Sequence, residues 1–239
     1  MRAVVTGATG GIGEAIARRL ADDGLTVTLV GRTDEELDAA RDRIGTAVPG
    51  ASLALQRADF AELSQVRDLA RRLLDEPLPE VVVSVAAPPD AMSPGGEQAL
   101  TAGHLAPYLL LRTLAAPLDR ARFVLAITDP VAEEMNVMFG CALARRLAGT
   151  GITVNGALPP TGPEPGARRP RVPGDPETLP CPDMAADTPA WLAVSPDVKD
   201  VTGWFFRDRV PVETPPDTMD VARCNRLWQQ SARRTGLPV

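Results

Sequence analysis

The chain has 239 residues, is 44% hydrophobic and carries a formal net charge of −6 with an isoelectric point near 4.9. That much apolar sequence suffices for one domain with a core of its own, while the acidic balance excludes general phosphate-backbone binding, which needs clustered cations. No apolar run approaches a membrane span and the opening MRAVVTG lacks a signal peptide's apolar core and cleavage site, so the expectation is a cytoplasmic protein whose partner is a small-molecule substrate, not nucleic acid or membrane.

The first predicted strand, 2–6 (RAVVT), runs through Thr6-Gly7-Ala8-Thr9-Gly10-Gly11-Ile12-Gly13 into a helix at 12–23. A glycine-rich turn between a strand and a helix is a dinucleotide-binding signal. Gly7 permits the sharp turn, Gly11 a close approach to a pyrophosphate and Gly13 the packing of helix on sheet. The N–H groups of the loop, with Thr9 and Ile12 inside it, and the positive end of the helix then hold the anion. A second strand at 25–31 ends at Arg32, where an adenosine ribose belongs. An Arg there suits a 2′-phosphate, so NADP(H) is expected ahead of NAD(H). Thr33 and Glu36 form a capping box that opens a helix at 34–44. A third strand at 51–57 precedes Asp59, which either accepts from the adenine amino group or caps the helix at 62–75.

The fourth strand, 80–86, ends at Ala86. A helical stretch at 97–117 follows and carries His104 and Tyr108. The fifth strand, 121–128, ends at Thr128. Asp129, Glu133 and Glu134 then come where a helix at 131–149 begins. Acids at that place stabilise the helix N-terminus, or they form a carboxylate cluster at the mouth of the cleft, in which Glu133 raises the pKa of Asp129. A sixth strand at 151–158 leads into residues 159–182, rich in Pro and Gly, through which no regular helix or central strand is expected. That segment is either an ordered flap or a disordered loop. A strand at 201–206 and a helix at 218–235, docked by Val221, Leu227 and Trp228, complete the chain. Strands apolar on both faces that alternate with helices predict an α/β fold, a doubly wound parallel sheet of about seven strands. The whole chain, 1–239, is read as a single Rossmann domain with a substrate-side flap at 159–190.

Three cysteines, Cys141, Cys181 and Cys224, are widely spaced and form no C-x-x-C pair, which predicts free thiols. His104 is the only histidine, so a His-rich metal site is excluded. Tyr108 and Lys199 are likewise the only residues of their types.

The glycine stretch, L143-A-R-R-L-A-G-T-G-I-T-V-N-G-A-L-P and the tail W204-F-F with R226-L-W-Q-Q-S-A-R-R-T-G-L resemble the short-chain dehydrogenase/reductase family, and the tail its retinol-dehydrogenase-like branch. The resemblance implies a catalytic set of Asn, Ser, Tyr and Lys, in which Tyr is the acid/base and Lys lowers its pKa and holds the nicotinamide ribose. The matching positions here are Gly103 for Asn, Thr128 for Ser, Asp129 for Tyr and Glu133 for Lys, with the loop that separates the Ser and Tyr positions in the family deleted. With one lysine at 199 and Ser at 195, no Tyr-x-x-x-Lys exists anywhere in the chain. His104, beside the lost Asn, is either an acid/base candidate or a packed helix residue.

Three functions remain open on the sequence. The first is an enzyme of specialised small-molecule biosynthesis that works by acid/base chemistry (cyclisation, dehydration or isomerisation) through Asp129, Thr128, Glu133 and His104. The second is a noncanonical NADP(H)-dependent oxidoreductase acting on C=C, C=N or C=O. The third is a catalytically silent cofactor-binding partner. The resemblance further implies a homodimer, or a heterodimer with an active relative, through the helices at 97–117 and 131–149, with Leu105, Leu109, Val137 and Leu147 in the contact.

Overall fold

A computed structural model describes residues 1–86, 96–128, 132–160 and 181–239. Asp129 lies outside the described residues, as does most of the segment read as a flap. Eight strands form one sheet in the order β3-β2-β1-β4-β5-β6-β7-β8. Strands β1 (Arg2–Thr6), β2 (Thr26–Gly31), β3 (Leu53–Arg57), β4 (Val81–Ala86), β5 (Arg120–Ile127), β6 (Gly151–Ala157) and β7 (Phe205–Arg207) are parallel, and β8 (Val210–Val212) pairs antiparallel with β7. The order reverses between β1 and β4, which opens a crevice at the carboxyl ends of those strands, where ligands of such sheets bind.

Alternate strand residues enter two cores. Val4 and Val82 join the layer that holds α3 (Leu63–Asp75), α5 (Ala106–Ala115), α6 (Glu133–Arg146) and α9 (Val221–Thr235). Val5, Val81 and Val83 join the layer of α1 (Gly11–Asp22), α2 (Asp34–Ala47) and α7 (Pro182–Val194). Burial on both faces is why these strands read as unbroken apolar runs.

The expected helix at 97–117 is three pieces: α4 (Glu97–Leu100), a π turn at Thr101–Leu105 and α5. The π turn rotates His104 toward α6 and α9. The C-terminal helix is also split, into α8 (Pro216–Met219) and α9, which Asp220 caps by accepting from the Arg223 N–H at 2.7 Å.

One expectation is corrected and the sheet is slightly larger than expected. Residues 182–190, read as the end of a flap, begin α7, which packs against α1 and β5. Pro182 stands in the first turn, where its missing N–H costs nothing, and Ala185, Ala186, Ala190, Leu192 and Ala193 are buried. The sheet also has an eighth strand, reached by a two-residue turn in which Asp208 and Arg209 adopt positive φ of 52° and 61°. Such turns normally announce themselves by Asn or Gly. Among the described residues no helix is long and apolar enough to cross a membrane.

Candidate functional site

The glycine loop has the backbone its sequence demands. Gly7 and Gly11 hold φ of 61° and 53°, a region other residues occupy only with strain. A Cβ on Gly13 would stand 2.1 Å from the Gly7 carbonyl oxygen, so α1 sits this close to the loop only because position 13 has no side chain. Above Gly10 and Gly11 a Cβ would meet nothing within 4 Å. Open space therefore lies over the start of α1, where unpaired N–H groups and the helix dipole attract an anion.

Two side chains and one backbone hydrogen bond brace this loop. Arg43 on α2 donates to the Thr9 carbonyl at 3.0 Å and to both carboxylate oxygens of Glu14 at 2.9 and 2.7 Å. Thr6 Oγ1 donates to the Val85 carbonyl and accepts from the Val85 N–H at 3.0 Å, which locks β1 to β4 at the reversal point. Ala8 N–H donates to the Val30 carbonyl at 3.0 Å. Arg43 and Thr6 were not singled out from the sequence. Their partners lie 29 and 79 residues away, and no spacing rule reaches that far.

The loop forms one wall of a cleft of about 360 Å³, bordered also by Gly31, Arg32, Asp59, Phe60 and Ala102. Arg32 lies at its exposed rim, with Nη2 3.3 Å from Glu36 Oε1. Asp59 lines the cleft and its Oδ1 also accepts from the Ala61 N–H at 2.8 Å, so it shapes the turn into α3 while facing the site. A cradle that a Cβ would fill, open space over a helix N-terminus and a cation at the rim fit the adenosine and pyrophosphate half of a dinucleotide. Ile12 lies farther along, beside Thr128.

Thr128 stands toward the other end of the crevice. Thr128, half-buried just after β5, borders a cavity of about 10 Å³ with Ile12, Ala157, Pro159, Ala185 and Pro189. That is about the volume of one water probe. Ala86 ends β4 opposite Ile127. Glu133 and Glu134 occupy the first turn of α6, with Glu133 half-buried and Glu134 bonded to Arg223 of α9 at 2.7 Å. The described residues contain no group of three or more His, Cys, Asp or Glu able to hold a metal ion.

His104 is not at the cleft surface, and its candidacy as an acid/base group is corrected. It is 1% exposed, with Nδ1 3.1 Å from Asn136 Oδ1 and Nε2 2.8 Å from Ser231 Oγ. Burial pushes its pKa down to about 4, partly offset by the Asn136 bond. Asn136 Nδ2 also donates to the Gly103 carbonyl at 2.8 Å, so His104 ties the π turn to α6 and α9.

The only tyrosine and the only lysine are committed elsewhere. The Tyr108 hydroxyl donates to the Trp228 carbonyl at 2.9 Å and accepts from Arg112 at 2.7 Å. Burial raises its pKa, against the opposing charge of Arg112. Lys199 is exposed beside Asp200. Three of the four residues expected at a dimer contact are packed inside the chain. Leu105, Leu109 and Val137 are buried, and Leu109 and Val137 pack in one cluster with Cys224, Trp228 and Ala232 of α9.

A model of the short chain dehydrogenases matches residues 1–83. DnrU of Streptomyces sp. (strain C5), assigned as a daunorubicin C-13 ketoreductase, is 32% identical across 98% of this chain and 92% of its own length. That alignment spans 274 positions against the 239 residues here, so the relative contains stretches that this chain lacks. Human retinol dehydrogenase 13 is 26% identical over 98% of this chain and 84% of its own. An actinorhodin polyketide ketoreductase solved with NADPH shares the fold, with a TM-score of 0.69 and 23% identity over 86% of this chain and 94% of that one.

Proposed function

Because the chain belongs to the short-chain dehydrogenase/reductase family, we propose that it is an atypical member: an enzyme of small-molecule biosynthesis with an NADP(H)-type site whose proton chemistry is carried by carboxylates. One observation carries this reading. The only tyrosine and the only lysine are bound up in a helix interface and on the surface, beside a glycine cradle that is fully built. No phenol–ammonium pair is available to the cleft. Thr128 follows β5 at the crevice, Asp129 comes next in sequence, and Glu133 stands half-buried in the first turn of α6. In this reading Asp129 donates or takes the proton, Glu133 adds a second carboxylate, and Thr128 orients the substrate oxygen. A nicotinamide cofactor bound here supplies hydride chemistry. Cyclisation, dehydration and isomerisation are the reactions that such residues serve without it.

Asp129→Asn tests the proposal. The expected outcome is a loss of turnover of about 10²–10⁴-fold, the usual worth of a positioned acid or base, with the thermal melt unchanged. Unaltered turnover removes the acid/base role. The second reading, reduction of a C=O, C=N or C=C bond, is favoured by the ketoreductase names of the relatives. Loss of nicotinamide absorbance in step with product marks it, and product without that loss marks proton chemistry.

A further inference from the structure

Helix α7 carries a proline in its interior, where one is rarely tolerated. In a regular helix residue 189 would donate its N–H to the carbonyl of Ala185, four positions earlier, and Pro189 has no N–H to give. Among the described residues, no donor outside α7 is bonded to that carbonyl. Ala185 and Pro189 are both buried, and a buried carbonyl without a donor is destabilising until one reaches it. A local fault of this kind persists where the freed group has a use. Ala185 and Pro189 lie one turn apart on a single face of α7, and both border the small space beside Thr128 and Ile12. A helical carbonyl points along the axis toward the residue four positions on, so the freed acceptor belongs to that same face. Among the described residues the space is about 10 Å³, which is room for one water. Thr128 brings a hydroxyl to its border. A hydroxyl donates one hydrogen bond and accepts two, so it can bond a water alongside any other partner.

We infer that the Ala185 carbonyl, released by Pro189, and the Thr128 hydroxyl hold one ordered water at this end of the crevice, and that the water fixes the direction of the hydroxyl. Pro189 is then a positioning residue, acting through the carbonyl, the water and Thr128. The inference rests on the proposed reading that Thr128 orients the substrate oxygen, and it adds a backbone acceptor to that end of the site. The water donates one hydrogen to the carbonyl and bonds Thr128 Oγ1 with its remaining capacity. A threonine hydroxyl otherwise rotates to suit whatever lies near it; held by a bound water, it presents the same side to each substrate.

High-resolution crystal structures of wild type, Pro189→Ala and Thr128→Val, with a thermal melt and a turnover measurement of each, test this. Wild type is expected to show one water within about 3.2 Å of both the Ala185 carbonyl and Thr128 Oγ1. In Pro189→Ala the restored N–H takes the carbonyl, so the water is expected to leave while Tm rises by about 5–10 °C. Turnover is expected to fall by about 10–10²-fold in the same variant, the cost of a misdirected group. A merely structural proline gives the rise in Tm without the fall in turnover. Thr128→Val keeps the shape without the hydroxyl and is expected to lose the same water with α7 unmoved, which keeps the test open if Pro189→Ala does not fold. No water in wild type, or a water retained in either variant, overturns the site, and unchanged turnover in Pro189→Ala overturns its role. The water is expected to remain in Asp129→Asn, so failure of the carboxylate reading and failure of this inference are told apart.

Discussion

The two ends of the crevice rest on different chemistry. At the β1–β3 end, a backbone cradle is braced by Arg43, Thr6 and the packing of Gly13 on Gly7, and it encloses about 360 Å³. At the β5–β6 end, Thr128 borders about 10 Å³ among the described residues, and in the proposed reading the acids that follow it in sequence take the place of the phenol and ammonium that the family resemblance implies. Binding at the first end depends on main-chain N–H groups and a helix dipole, which the fold itself supplies. Chemistry at the second depends on a few side chains, which substitution replaces without disturbing the sheet. A fold can keep its cofactor cradle while its reactive groups change, and for that reason function has to be argued from the site.

The comparison is sharpened most by loosening what lies behind the second end. Trp228 of α9 is 4% exposed, stacks beneath Arg112 and Arg146 at 4.4 and 3.9 Å and receives the Tyr108 hydroxyl on its carbonyl. Trp228→Ala is expected to cost about 3–5 kcal/mol and to lower Tm by roughly 10 °C. If the two ends are separable, NADP⁺ titration below the new Tm gives an unchanged affinity.

Next in size is the pH dependence from His104. Its folded pKa of about 4 lies below the ordinary 6.5, so the fold favours the neutral ring. The stability it contributes is complete above pH 6.5 and is lost as pH falls toward 4, about 3 kcal/mol in all. Urea midpoints between pH 7 and 5 should fall in wild type. The fall should be absent in His104→Gln, because no other imidazole exists in the chain. A flat wild-type profile would place the ring in solvent.

A smaller effect on stability, with a complete effect on binding, is expected at the first end. Gly13→Ala forces a Cβ against the Gly7 carbonyl, at about 1–3 kcal/mol, and should abolish NADP⁺ binding. Retained binding in a folded Gly13→Ala protein would show that the cradle is not the site.

Much of this architecture was legible in the chain. The strand–glycine–helix junction, the alternating strands and the Thr33 cap each depend on residues a few positions apart, and each has its expected place. What was not legible depended on distant partners or on residues that break a local rule. Pro182 and Pro189 concealed α7 because prolines signal loops, yet one sits in the first turn and the other inside a helix buried on two sides. The turn at Asp208 and Arg209 concealed β8 because neither residue is Gly or Asn. His104 read as packed ahead of catalytic, and the partner that holds it, Ser231, lies 127 residues away. In the site, Arg32 and the glycines were evident, whereas the bracing of the loop by Arg43 is a matter of side-chain geometry alone.

Calorimetric titration of the wild-type chain with NADP⁺ tests the central claim most directly. Saturable one-site binding below about 1 mM, the weak end of specific affinity, is expected even though the chain has no Tyr-x-x-x-Lys. No measurable heat with NADP⁺ or NAD⁺ at that concentration, from a protein that melts cooperatively, would contradict it.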